Sequence, residues 1–351
     1  MTKPPYSELP KPMEHHEVPE PPNIARSREV IIIGGGLAGL SAAIYLGRAL
    51  RDVLIIDAGE SLAIWEPEVQ NYLGFPDCID GRELLRRGRE QAARYGAEFV
   101  HEEVDHLSFE KDRFQVIAKK TSFNARRLLL ATGVYHLPPK IPCVNECVGK
   151  SMFFCKDCDG YRVQNKRVII AGHNNTAVEY ALGITVFTEC VTLLTNGEVP
   201  NWDATHDKWL HDYEVPMHIE KITGVEHAGG HMQSVTIASG EKIAVDCLFT
   251  TRGDVFHNHL ARQLGAKLDA QGQVIVDQEQ RTSIPGLYAA GCVTPANCQM
   301  IIAAGDGAVA AQAINRDLFE ESLRNGDLWS HRKKQVEGGK TQPDFISPLS
   351  P

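Results

Sequence analysis

Two cysteines stand two residues apart in the stretch SMFFCKDCDGYR, Cys155 and Cys158, with Asp159 directly behind them. Such a pair can clamp a metal, staple a fold or carry electrons. At this spacing a disulfide closes a small, reducible ring, and stabilising one of the two thiolates speeds exchange with a partner disulfide. Asp159 is placed to deliver or remove the proton that exchange requires. Zinc is the rival chemistry. Cys143 and Cys147 bring the count to four cysteines within 16 residues, enough for a tetrahedral thiolate site. The upstream pair, however, is flanked by Pro142 and valines and lacks the glycine of a zinc knuckle. The residues therefore favour a redox pair, with no metal expected. Cys78, Cys190 and Cys247 lie in apolar or turn contexts and read as buried or incidental thiols.

The elements that must position this pair come from an internal near-repeat. EVIIIGGGLAGLSAAIYL begins at Glu29 and RVIIAGHNNTAVEYALGI at Arg167, with Gly34 and Gly172 138 residues apart. Each is a β-branched run, a glycine-containing turn and an apolar pattern at helical spacing, followed by a further apolar run, DVLIID or CVTLLT. Two βαβ openings imply two parallel-sheet domains, each with a nucleotide-sized crevice. A proline cluster at ATGVYHLPPKIP marks an exit from the first domain, and TTRGDVFHNH lies near the return. The later strand, turn and Gly/Ala-rich helix, ending in QMIIAAGDGAVAAQAI, then complete the first domain around an inserted second one.

The two turns differ in chemistry. Gly34, Gly36 and Gly39 follow a strand and open a helix, as a pyrophosphate cradle requires, with Leu37 and Ala38 in the helix's first turn. Asp57, 23 residues after Gly34, stands where a carboxylate accepts ribose hydroxyls. The second turn reads Gly172-His173-Asn174-Asn175-Thr176. Asn174 replaces the second glycine; asparagine tolerates positive φ, but its side chain takes the space a phosphate needs. The strand behind it ends at Asn196 rather than at an acid, and no Lys or Arg lies between Arg167 and Lys208 to meet a 2′-phosphate.

Composition bounds the rest. The 351 residues are 43% apolar and 23% charged, which suits a two-domain globular chain. A net charge of −9 argues against nucleic-acid binding. No apolar run is long enough for a membrane span, and no secretory leader is read at the N-terminus. Nine cysteines at irregular spacing do not form a secreted disulfide framework, so the cytoplasm is the expected location. Seven of 19 prolines fall in the first 22 residues, so residues 1–28 read as an extended arm, and residues 325–351 as a polar tail. Trp329, His331 and Phe345 in that tail are candidates to stack on a flavin.

In order along the chain, GGGLAGL, VQNYLGFPDCIDG, LLLATG, CKDCDG, NNTAVE and TSIPGLYAAGCV…QMIIAAGDGAVAA make this sequence resemble the low-molecular-weight thioredoxin reductases, from about Glu29 to Leu318. The resemblance implies an α/β fold of two Rossmann-like dinucleotide-binding domains. Residues 29–142 with 259–324 would bind FAD, and an inserted NADPH-like domain, 143–258, would carry the cysteine pair. By that likeness Asn71, Val104, Ala131, Thr132 and Gly133 line the flavin site, and Gly291, Cys292, Val293, Gln299 and Met300 close it. Cys158 faces the flavin, Cys155 attacks the partner disulfide, and Asp159 is the acid/base.

Three departures separate this chain from the family pattern: Asn174 in the NADPH turn, TNGEVPNW in place of the family's His-Arg-Arg stretch, and Gly291-Cys292 where the family has Gly-Asp. The sequence is thereby most similar to members that take electrons from ferredoxin, or that hold a second FAD in place of NADPH. The expected function is a flavin-linked thiol–disulfide oxidoreductase that does not use NADPH. Its partner would be a thioredoxin-like protein or a small disulfide, its electron flow either toward that partner or reversed, as in a dithiol oxidase, and its assembly a homodimer. Should the donor be ferredoxin, GRELLRRGRE (81–90) and Lys119-Lys120 with Arg126-Arg127 are candidate docking charges. The alternatives are an NAD(P)H-dependent thioredoxin reductase with a variant site, and a zinc-stabilised nucleotide-binding module without turnover.

Overall fold

The structure is a computed structural model, and it describes residues 26–329. The first 25 residues of the expected arm, and His331 and Phe345 of the expected tail, lie outside that range. Arg26 to Arg28, read as the end of the arm, instead begin a strand.

The chain divides into two compact units. The first opens with β1 (Arg26–Ile33), α1 (Leu37–Arg48) and β2 (Val53–Ile56), then α2 (Gly81–Arg94) and the strands β3 (Glu98–Val100), β4 (Val104–Glu110), β5 (Arg113–Ala118) and β6 (Ser122–Leu130). The order across the sheet is β3-β2-β1-β6-β5-β4. β1 pairs in parallel with both β2 and β6. Its Val30-Ile31-Ile32 run is fully buried, as a central parallel strand covered on both faces must be.

The chain passes into the other unit and back through two short strands, β7 (Val134–His136) and β16 (Asp254–Phe256). That unit holds Trp65–Asn71 and Tyr135–Val255. Between the crossings lie α3 (Val144–Cys147), β8 (Met152–Phe153), α4 (Lys156–Asp159), β9 (Val168–Ala171), α5 (Asn175–Ile184), β10 (Val191–Leu194), α6 (Ala204–Asp212), β11 (Met217–His218), β12 (Ile222–Ala228), β13 (His231–Ile237), β14 (Lys242–Ala244) and β15 (Cys247–Thr250). A parallel sheet runs β11-β10-β9-β15-β8, and β12-β13-β14 form an antiparallel meander. Helices on a parallel sheet give this unit its own core, from Phe153, Ile170, Val178, Leu193 and Phe249.

The return adds α7 (His259–Gln263), β17 (Leu287–Ala289) and the long α8 (Met300–Asn325) to the first unit. β17 joins the large sheet in parallel beside β6. α8 crosses α1 closely enough that a Cβ at Gly307 would collide with the Ala38 carbonyl oxygen. It ends at Gly326, whose φ of 68° caps it in the left-handed conformation. Among the described residues no helix is long and apolar enough to cross a membrane.

Candidate active site

Cys155 and Cys158 are joined as a disulfide. Cys155 is the N-cap of the single-turn α4, and its Sγ accepts the Cys158 N–H at 3.1 Å. The turn is braced from α5, where the Tyr180 hydroxyl donates to the Phe154 carbonyl at 3.1 Å and the Tyr180 ring lies under Lys156. Both cysteines are half-buried, so the ring is reachable without unfolding its support.

Asp159 is buried at 6% exposure. Burial raises its pKa, opposed by Arg162, whose Nη1 donates to the carboxylate at 3.0 Å. Glu66 joins the cluster in the same unit. Burial first, then the neighbouring Asp159 charge, pushes its pKa up to about 7, against Arg162. Two carboxylates against one guanidinium hold a proton near neutral pH, beside a disulfide whose reduction consumes two. Arg162 also donates to Glu68 at 3.3 Å. Neither Glu66 nor Arg162 carries a sequence signal of its own, because only the fold brings them to Asp159.

Cys143 and Cys147 are free thiols. Burial pushes Cys147 up to about 11, too high for a thiolate at neutral pH. Among the described residues no group of three or more His, Cys, Asp or Glu side chains is placed to hold a metal. Of the thiols read as buried or incidental, Cys247 is buried, Cys78 half-buried and Cys190 exposed.

The glycine-rich turn of the first unit is shaped for a dinucleotide. Gly34 has φ of 109°, and a Cβ there would strike the Ala131 carbonyl; one at Gly39 would strike the Gly34 carbonyl. At Gly36 an added Cβ would meet no backbone, only the Ser61 side chain, in ordinary contact at 3.4 Å from its Oγ. α1 begins there without a side-chain cap or an acid in its first turn, so its leading N–H groups are offered to an anion. α8 likewise starts uncapped behind Gln299. Asp57 is buried and accepts the Gly35 N–H at 3.0 Å, and its other oxygen pairs with Arg89.

The remaining flavin-site residues are distributed as follows. Val104 is buried at the start of β4, and Ala131 directly follows the end of β6. Thr132 donates its hydroxyl to His257 O at 2.7 Å, and Gly133 O accepts the His257 N–H at 3.1 Å. Val293 is fully buried, and Met300 is the first residue of α8. Asn71 falls in the other unit, with Trp65. Asp306 on α8 was not singled out in the sequence. One carboxylate oxygen accepts the Gln280 Nε2–H at 3.4 Å, while the second is buried with no hydrogen-bond partner. A buried orphan acceptor on α8, near Gly291, fits a polyhydroxylated ligand in a site where the family's aspartate is missing. The residues present therefore fit FAD.

The second turn is built differently. A Cβ at Gly172 would collide with the Thr251 hydroxyl, so the turn is tight. Asn174 has φ of −121° and does not use its tolerance of positive φ. It is instead the N-cap of α5, and its Oδ1 accepts the Ala177 N–H at 3.1 Å. Asn196 accepts the Ile222 N–H at 2.8 Å and is likewise engaged by the protein itself. An open hollow of about 510 Å³ lies at the turn, lined by Asn174, Asn175, Thr176, Asn201, Trp202 and Asp203. His173 accepts the Asn201 N–H through its carbonyl at its rim.

The candidate docking charges are largely paired. Arg86 and Arg87 bind Glu83, Arg86 also meets Glu90, and Arg89 meets Asp57. Lys119 binds Glu103, and Arg126 and Arg127 bind Glu321.

Residues 28–312 match the family model described as pyridine nucleotide-disulphide oxidoreductase, and the chain belongs to that family. Its relatives are narrower in kind. It is 30% identical to the thioredoxin reductase of Treponema pallidum, over 81% of this chain and 95% of that protein, and to that of Listeria monocytogenes over 84% and 95%. It resembles the solved structure of a putative thioredoxin reductase TrxB from Bacillus anthracis with a TM-score of 0.78 at 28% identity, covering 84% of this chain and 99% of that one. The chain is thus a thioredoxin reductase-like, FAD-dependent disulfide oxidoreductase.

Proposed function

We propose that this protein passes two electrons between FAD and the Cys155–Cys158 pair without taking them from NADPH. The observation that carries the reading is the Asn174 cap. The carboxamide holds the α5 N–H that a nucleotide phosphate would otherwise receive, and Asp203 adds negative charge at the same hollow.

When bound, FAD supplies the two-electron chemistry. The chain's own residues do the rest. Reduction opens the disulfide to two thiols, with Asp159 and Glu66 handling the protons. Cys155, at the start of α4, is the sulfur proposed to attack a partner disulfide, and Cys158 resolves the mixed disulfide. The curated relatives are named thioredoxin reductases, which supports a thioredoxin-like protein as exchange partner; a small disulfide is the second candidate. Five free thiols support a reducing cytoplasm, and a homodimer completes the reading.

For the donor, the pairing of the basic stretches weakens a ferredoxin docking surface there. The closed α5 N-terminus and Asp203 oppose the pyrophosphate of a second FAD as they oppose that of NADPH. Two measurements test this. Equilibrium dialysis of the holoprotein should show no NADPH retained, and flavin extraction should give one FAD per chain. NADPH bound stoichiometrically at micromolar concentration would defeat the donor assignment, and two FAD per chain would defeat the reading of the second turn as closed to dinucleotides.

A further inference from the structure

The first unit carries a second disulfide, Cys292–Cys298, in the loop between β17 and α8. It was not read from the sequence, where Cys292 counted only as a lost aspartate. We propose that this pair is a second thiol–disulfide exchange site, opened by an external dithiol, and that its closed form holds the loop that seats the flavin. The proposal is independent of which donor feeds the enzyme.

Three observations carry it. First, the loop is accessible. Both cysteines are half-buried, and Pro295 and Asn297 between them are exposed, whereas the free thiols Cys147 and Cys247 are buried. An attacking thiolate needs such access.

Second, the ring divides a firm half from a loose one. Gly291 O accepts both the N–H and the hydroxyl of Thr294, at 2.9 and 2.8 Å, and Val293 and Thr294 are tied to Val274 and Gln273. Beyond Thr294 the backbone bonds are short and local, Ala296 N–H to Thr294 O and Gln299 N–H to Asn297 O. The disulfide ties 295–298 back to the firm half. A ring of so few residues removes little chain entropy compared with a long loop, so stapling the fold is a weak reason for it.

Third, the pair adjoins the flavin cradle. A Cβ at Gly291, whose φ is 76°, would stand 3.0 Å from the Ala38 Cβ in the first turn of α1 and 3.4 Å from the Ala303 Cβ of α8. Asp306, near Gly291, accepts the Gln280 Nε2–H at 3.4 Å through one oxygen, and its other, buried oxygen has no hydrogen-bond partner. Loop order is thus linked to both uncapped helix N-termini.

The exchange balances with a dithiol as reductant. Its thiolate attacks one sulfur of the pair and forms a mixed disulfide. Its second thiol then displaces that bond. Two electrons and two protons end on Cys292 and Cys298, and the reductant leaves as a disulfide.

The test uses full-length holoprotein bearing Cys155→Ser and Cys158→Ser, titrated anaerobically with dithiothreitol, then alkylated and mapped by mass. Two alkyl groups should appear on Cys292 and Cys298 while the circular dichroism is unchanged. The flavin's dissociation rate, read from released fluorescence, should rise about threefold or more, because the freed loop must be ordered again on binding. Cys298→Ser in the otherwise native chain should release flavin at the faster rate without any reductant. Labelling only after denaturation would make the pair a staple and overturn the proposal. So would labelling before reduction, or opening with no change in flavin release.

Discussion

The Asn174 carboxamide accepts the Ala177 N–H at 3.1 Å, so the α5 N-terminus is closed by its own residue. The α1 N-terminus, at the equivalent point of the repeat, has no side-chain cap at all. Two turns of one sequence pattern thus present opposite surfaces to an anion, and the proposed function rests on that contrast.

Gly36→Ala places a methyl group at the first turn, in ordinary contact with the Ser61 side chain and without a backbone clash. FAD affinity should fall about tenfold or more while thermal stability of the apoprotein stays within a few degrees. Flavin titration and thermal unfolding of the apoprotein check this; unchanged affinity would mean that the pyrophosphate does not approach Gly36.

Serine at both Cys155 and Cys158 removes the exchanging sulfurs and leaves the first unit untouched. Disulfide reductase activity, with the flavin reduced chemically, should fall by about three orders of magnitude at equal flavin content. Retained turnover in this variant would place the chemistry at another pair.

Glu66 links stability to pH. Its folded pKa of about 7 lies above the ordinary 4.5, so the folded state binds more protons between those values. That contribution is fully present below pH 4.5 and is lost as pH rises through 7. Glu66→Gln should remove it, flattening the stability curve by about 3 kcal/mol at most, less where water reaches the site. Urea unfolding at pH 5 and pH 8 measures the difference; parallel losses in both proteins would show that Glu66 is ionised throughout. Asp159 is shifted in the same direction, so some slope will remain.

Local pattern made much of this legible. The βαβ openings and the glycine turn announce themselves within about 20 residues, because strand, turn and helix there are neighbours in sequence. The cysteine pair with Asp159 was legible for the same reason. Residues that reach the sites through tertiary contact were not. Arg89 pairs with Asp57 from 32 positions away, Glu66 meets Asp159 across 93, and Asp306 reaches Gly291 from the next helix. The basic stretch at 81–90 presents less free charge than its arginines suggest, because Glu83 and Glu90 share a helix face with Arg86 and Arg87, at i,i+3 and i,i+4 spacings, and Arg89 turns to Asp57. Cys292 and Cys298 do carry a signal, two cysteines in one proline-bearing turn between strand and helix, but reading Cys292 as a replaced aspartate leaves Cys298 out.

Asn174→Gly reopens the second turn. Glycine is nearly as good an N-cap, so stability should drop by only a few tenths of a kcal/mol. NADPH binding should become measurable by calorimetry in this variant and stay absent in the native chain. Absence in both would assign the loss to Asn196 and the missing cations instead.

The most direct measurement is anaerobic stopped-flow mixing of the oxidised holoprotein with micromolar NADPH, following the flavin absorbance. The flavin should stay oxidised for seconds, while dithionite bleaches it and the electrons then appear as thiols on Cys155 and Cys158. Bleaching by NADPH within milliseconds to seconds would contradict the assignment of the second turn and make NADPH the donor.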